Sequence, residues 1–200
     1  MTANTDNRLD RRAAVARILE DRGETLVVGG LGSSSFDVTA PGDSPLNFPM
    51  WGAMGSAATI GLGLAIAQPD RRVLVVTGDG EMLMGIGSLL TIAMQAPENL
   101  SIIVIDNEHY GATGMQDTHT LQGADLAGIA AASGIAVTGT IHSEEDLEAA
   151  LPAMRTGAGP SFHVIKVQAN TPPKALPPRD GSYLKDRFRI ALLGEKAAVI

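Results

Sequence analysis

Apolar residues along this chain keep changing their spacing, from the three-and-four rhythm of a helix to short unbroken runs and back. LDRRAAVARIL, Leu9 to Leu19, has helical spacing, and Gly23 lies beyond it as a stop. Thr25 to Val28 reads as a short strand, and Ala40 to Met50, with three prolines, as a surface connection. Ala57 to Ala67 predicts a small-residue helix whose glycines permit close packing on a sheet, ended by Pro69 and Asp70. Val73 to Thr77 and Leu100 to Ile105 are apolar runs that stop abruptly in polar residues and glycine. Runs of that kind, each followed by a helical pattern, predict parallel strands buried on both faces. Between them Gly85 to Ala96 reads as one helix, apolar over most of its surface, which calls for a second cover such as a partner subunit.

Downstream, Glu108 to Gly123 is polar and aperiodic, the character of a ligand lid. Ala124 to Ala132, Ile135 to Val137, Ser143 to Leu151 and Ser161 to Val167 then resume the alternation, with Ser143, Glu145 and Asp146 forming a helix start. A proline-rich tail from Asn170 leads into SYLKDRFRIALL with Lys185, Arg187 and Arg189, a terminal helix that either docks on a partner or, as is more frequent, presents a solvated basic face. Arg71 and Arg72 read as a solvated approach to a strand. The predicted class is α/β: a three-layer α/β/α arrangement around a central, mainly parallel sheet, forming one domain over residues 1–200.

In such sheets ligands bind where the strands end, so GDG (Gly78 to Gly80) and DNEHYG (Asp106 to Gly111) face one crevice. Gly78 and Gly80 allow backbone N–H groups to approach an anion closely, and Asp79 and Asn107 offer hard oxygen ligands. Two such side chains, a backbone carbonyl and phosphate oxygens suit octahedral Mg²⁺. The bland alternative is a tight turn at GDG with Asn107 as its cap. GGLGSSSFDV, Gly29 to Val38, offers a second phosphate turn at Gly32, Ser33 and Ser34, or simply a loop with a serine helix cap. His109 and His119 are the best-placed groups for proton exchange near neutral pH.

Composition narrows the partners. A net charge of −7 argues against a nucleic-acid surface, and the absence of cysteine removes disulfides, thiol nucleophiles and iron–sulfur ligation. The sequence has no apolar run of membrane-spanning length and starts polar, so a cytoplasmic location is the default expectation.

Gly80 and Asn107 are separated by 26 residues, enough for a helix and a strand. This spacing resembles the thiamine diphosphate signature, and WGAMGSAATIGLGLAIA, Trp51 to Ala67, resembles the segment that holds the aminopyrimidine ring in thiamine diphosphate decarboxylases. With NFPMWGAMG, GDGEMLMGIGSLLTIA and DNEHYGATGMQ, the resemblance narrows to sulfopyruvate decarboxylase β subunits and phosphonopyruvate decarboxylases. It implies that Asp79, the Asn107 side chain and the His109 carbonyl ligate Mg²⁺. It also implies that Gly32, Ser33, Ser34, Gly78, Gly80, Tyr110, Gly111 and Ala112 line the cofactor. The Gly52 carbonyl would then accept from the 4′-amino group, and Met54 would hold the cofactor bent. Glu81 stands where several family members have serine, and a carboxylate there repels diphosphate unless it points away or toward the metal.

The activity implied is decarboxylation of a 3-substituted pyruvate such as sulfopyruvate or phosphonopyruvate, to CO₂ and an aldehyde. The glutamate that such enzymes take from a pyrimidine-binding domain is missing, which implies an α-subunit partner and an α2β2 or larger assembly. No Arg or Lys within the motifs is placed for a sulfonate or phosphonate, so a cationic recess is expected on the partner. Alternatives are a carboligase, a 2-oxo acid dehydrogenase component, or a non-catalytic diphosphate-binding subunit.

Overall fold

A computed structural model describes residues 8–199. Its backbone is a six-stranded, wholly parallel sheet in the order β2-β1-β3-β4-β8-β7. The strands are β1 (Leu26–Gly29), β2 (Asn47–Pro49), β3 (Val73–Gly78), β4 (Leu100–Asp106), β7 (Val137–Ile141) and β8 (Ser161–Lys166). Two further short strands, β5 (His109–Tyr110) and β6 (Gln116–Asp117), form a separate antiparallel pair.

Alternation along the strands divides the apolar side chains between two layers. Val28, Val75, Ile102, Val104 and Phe162 meet α3 (Ala57–Ala67), α5 (Ser88–Gln95), α6 (Leu126–Ala132) and α8 (Gly181–Leu193) on one face. Val27, Leu74, Val76, Ile103 and Ile165 meet α1 (Arg11–Leu19), α2 (Ser33–Thr39) and α7 (Glu144–Arg155) on the other. Full burial of each such side chain contributes about 1.5–3 kcal/mol, so the three-layer architecture expected from the alternation is also where the stability resides.

Several local expectations are met by identifiable chemistry. Asp10 caps α1 by accepting from Ala13 N at 2.8 Å, and Ser143 and Asp146 form a reciprocal capping box at the start of α7. In α3 a Cβ on Gly61 would overlap Val75, which explains the close approach to β3, whereas Gly63 faces open space.

Other expectations are corrected. The helix expected over Gly85 to Ala96 is α5, which starts only at Ser88, and Gly85–Gly87 separate it from a short preceding helix, α4 (Asp79–Met84). The apolar pattern hid this break because both pieces contribute to one layer. The proline-rich connection from Ala40 contains the edge strand β2, where Pro49 sits at the strand end. The strand expected over Ile135 to Val137 instead runs from Val137 to Ile141. Arg72 is a staple: its guanidinium donates to the carbonyls of Met154 at 2.6 Å and Gly157 at 2.8 Å, closing the C-terminal end of α7. The basic terminal helix α8 also packs inward, Phe188 meeting Phe48 edge-on at 5.4 Å, while Arg187 pairs with Asp43.

Candidate functional site

The site follows from the order of the strands. The chain leaves β1 toward β2 but leaves β3 toward β4, so the loops after the adjacent β1 and β3 diverge and open a crevice. A cavity of about 300 Å³ occupies it. Gly78 pairs in register with Ile105, which brings the GDG turn beside the DNEHYG turn as expected. A larger recess of about 680 Å³, bounded by α1 and residues 41–44, lies at the opposite end of the strands and has no glycine-rich turn from a strand end.

Most of the sequence-derived residues converge on the crevice. Gly32, Ser33 and Ser34 border it from the start of α2, and Gly78, Asp79, Gly80 and Glu81 from the start of α4. Asn107, His109, Tyr110, Gly111 and Ala112 close the third side. Met54 projects from the loop before α3, flanked by Ala53 at φ 58° and Gly55 at φ 91°. Gly85 packs directly on the Gly55 carbonyl, so the break between α4 and α5 sets the position of the Met54 loop. Gly52 is exposed and lies outside the cavity wall. His119 is also exposed and outside it.

Asp79 is 2% exposed and is held by residues the sequence patterns did not single out. Thr118 Oγ1 donates to its Oδ2 at 2.5 Å, Thr120 approaches the same oxygen at 3.3 Å, and Thr120 also donates to Asp106 at 2.8 Å. Burial first, and the nearby Asp106 charge second, push the Asp79 carboxyl up to about 6. Lys166 Nζ pairs with Asp106 at 2.7 Å and with Glu108 at 3.0 Å. The aperiodic stretch from Glu108 is therefore a folded unit, pinned by the β5–β6 pair and by these threonines.

Asn107 Oδ1 accepts from His109 N at 3.1 Å, and the Asn107 carbonyl lies 2.8 Å from His109 Nδ1. The turn-cap alternative thus describes a real bond, one that leaves the amide oxygen's second lone pair for another partner. The His109 ring is committed at Nδ1, with Nε2 3.7 Å from Asp117.

Glu81 lines the cavity and is tied down at one oxygen. Its Oε2 accepts from Leu31 N at 2.8 Å and Thr77 Oγ1 at 2.9 Å, joining the two glycine-rich turns. The serine cap anticipated for α2 is absent: Gly32 occupies that position without a side-chain bond.

Among the described residues no cluster of three or more His, Cys, Asp or Glu side chains is arranged to hold a metal. A cation here would rest on Asp79, an amide, a carbonyl and oxygens brought by a ligand, the sparse protein set typical of Mg²⁺ bound with phosphates. Arg11, Leu31, Met84, Ile105 and Thr113 complete the wall. Leu31, Met84 and Thr113 lie within the quoted motifs without having been singled out, Ile105 ends a strand run, and Arg11 comes from the first helix, outside every motif.

This fold and site are those of a diphosphate-cofactor domain. Residues 30–165 match the family described as "Thiamine pyrophosphate enzyme, C-terminal TPP binding domain", and the chain belongs to that family. It is 33% identical over 187 residues to the sulfopyruvate decarboxylase subunit beta of Methanococcus maripaludis, covering 92% of this chain and 98% of that protein. To the sulfopyruvate decarboxylase of Methanosarcina acetivorans it is 38% identical over 162 residues, 80% of this chain but 42% of that protein. The thiamine diphosphate-dependent 4-hydroxybenzoylformate decarboxylase of Rhodococcus jostii RHA1 shares the fold, with a TM-score of 0.68 at 19% identity over 82% of this chain and 33% of that one.

Proposed function

We propose that this chain is the cofactor-binding β subunit of a heteromeric, Mg²⁺-dependent thiamine diphosphate decarboxylase acting on a 3-substituted pyruvate, with sulfopyruvate the first candidate and phosphonopyruvate the second. The observation that carries the reading is the meeting of GDG, Asn107 and His109 around one cavity in which Asp79 is buried with no basic side chain paired to it among the described residues. The residues fit the cofactor: a buried carboxylate raised toward neutrality gains from a divalent ion, and the glycine turns leave room for diphosphate.

When bound, thiamine diphosphate supplies the electron sink for loss of a carboxylate next to a carbonyl. The chain's own residues bind and orient. Asp79, Asn107 Oδ1 and the His109 carbonyl hold Mg²⁺, while Ser33, Ser34 and the backbone amides at Gly80, Gly111 and Ala112 hold diphosphate oxygens. Met54, fixed through Gly55 and Gly85, sets the bend of the cofactor. Gly52 is exposed, outside the cavity wall, and its carbonyl would accept from the 4′-amino group of the cofactor.

The partner is an α subunit that contributes a glutamate for the aminopyrimidine ring. Met84, Leu90 and Met94 on α4 and α5 are 65%, 63% and 74% exposed, an apolar face that supports such docking in an α2β2 or larger assembly. No helix among the described residues is long and apolar enough to cross a membrane, in keeping with a cytoplasmic enzyme.

The deciding experiment is CO₂ release from sulfopyruvate and phosphonopyruvate by the native complex isolated through this chain, with and without thiamine diphosphate and Mg²⁺. Cofactor-dependent release from one substrate is expected. Bound cofactor with no release, or a coupled carbon–carbon product instead of free aldehyde, overturns the decarboxylase assignment.

A further inference from the structure

Behind the Gly32–Ser33 turn lies a second cavity of about 270 Å³, which shares Arg11, Gly32, Ser33, Asn107, Gly111 and Ala112 with the first. Its wall is cationic. Arg11 and Arg12 reach it from the first turn of α1 and Lys174 from the proline-rich tail, against one carboxylate, Asp37.

Arg11 is 4% exposed, and its one side-chain hydrogen bond among the described residues is from Nε to Asp37 Oδ2 at 2.6 Å. Arg12 Nε is buried without a hydrogen-bond partner among the described residues, 3.5 Å from Asp37 Oδ1. Arg12 also donates to the Pro173 carbonyl at 2.8 Å, which ties down the tail that carries Lys174. One carboxylate cannot neutralise two guanidiniums and an ammonium, and a buried cation short of acceptors is costly until an anion supplies them. Guanidinium groups match tetrahedral oxyanions through paired N–H···O bonds.

We propose that this recess is an oxyanion subsite, holding a phosphate, phosphonate or sulfonate group on Arg11, with Arg12 and Lys174 closing its outer side. Two sources carry that chemistry: the terminal phosphate of the cofactor, reaching past the shared wall, or the anionic group of the substrate. The pair of sources rests on the decarboxylase reading, whereas the subsite rests on the charges alone.

Trp51, the only tryptophan in the chain, lies 6.1 Å ring to ring from Phe36, which borders the recess, so its fluorescence can report occupancy. The test is a sulfate titration of the full chain, with any co-purified partner, at ionic strength held constant with chloride. A saturable response is expected, at least 10-fold weaker in an Arg12→Ala/Lys174→Ala variant that keeps the parent's circular dichroism and still binds Mg²⁺–thiamine diphosphate. These outer positions are chosen because Arg11→Met strands the buried Asp37 and risks misfolding. Loss of sulfate binding after loading with cofactor supports the subsite and assigns it to the terminal phosphate. Persistence, with displacement of sulfate by ethanesulfonate, supports it and assigns it to the substrate group. A non-saturating response identical in parent and variant, with cofactor binding intact, overturns the subsite and leaves the cofactor reading untouched. Saturable sulfate binding in a chain that binds no cofactor does the reverse.

Discussion

The Thr118 hydroxyl donates a 2.5 Å hydrogen bond to Oδ2 of Asp79, joining residues 39 positions apart in the chain. The bond fixes the rotamer of the one acidic side chain assigned to the metal and favours its ionised form. Outer partners of this kind commonly change metal affinity by about 10–100-fold when removed. Thr118→Val is therefore expected to weaken Mg²⁺-dependent thiamine diphosphate binding by about 10-fold or more. Thr118→Ser, which keeps the donor, should restore most of it. Calorimetric titration of cofactor at several Mg²⁺ concentrations checks both.

Asp79 itself links cofactor binding to pH. Its carboxyl is raised to about 6 in the folded chain, so without a cation its ionisation costs stability as pH rises from the unfolded value of 3.8 through 6. Asp79→Asn is expected to melt higher than the parent in metal-free buffer at pH 7.5, with little difference at pH 4. It should lose Mg²⁺-dependent cofactor retention at both. In the parent, Mg²⁺ and cofactor together should raise the melting temperature more at pH 7.5 than at pH 5, where a proton competes for the carboxylate.

A Cβ on Gly80 would overlap the ring of Tyr110, and both residues border the cavity. Gly80→Ala is expected to cost about 1–3 kcal/mol of stability by overpacking and to displace the ring, with at least a 10-fold loss of cofactor affinity. Combining it with Tyr110→Ala should recover most of the stability, giving a strong coupling in a double-mutant cycle read by denaturant unfolding.

His163 lies on β8, next to the edge strand β7, 5% exposed, with Nε2 unpartnered among the described residues. Burial first, and the Arg72 charge second, lower it to about 4. The folded chain therefore keeps it neutral, and stability present above pH 6.5 is lost as pH falls toward 4, on the order of 3 kcal/mol in all. This runs opposite to the effect of Asp79 in nearly the same window. His163→Leu should remove this acid sensitivity while changing stability at pH 7.5 by less than about 1.5 kcal/mol. Urea unfolding between pH 4 and 7.5, in parent and variant, separates the two groups.

The sequence by itself determined the class of fold and the positions of the glycine-rich turns that meet at the crevice. Val73–Thr77 and Leu100–Ile105 are continuous apolar runs because both faces of a parallel strand are covered. GDG and Asn107 are legible because glycine and hard oxygen ligands must stand where those strands end. Local chemistry sufficed there, since each feature is written in adjacent residues. It did not suffice where neighbours in space are distant in sequence. The break at Gly85–Gly87, the β2 edge and the bond from Leu31 N to Glu81 each depend on contacts made only after the sheet closes. The same holds for the grip of Thr118 and Thr120 on Asp79 and for the meeting of Arg11, Arg12 and Lys174 behind the cofactor turn. A threonine in a polar stretch and an arginine on a first helix carry no local mark of their partners. Tertiary structure decided their roles because burial and charge pairing are properties of the assembled site.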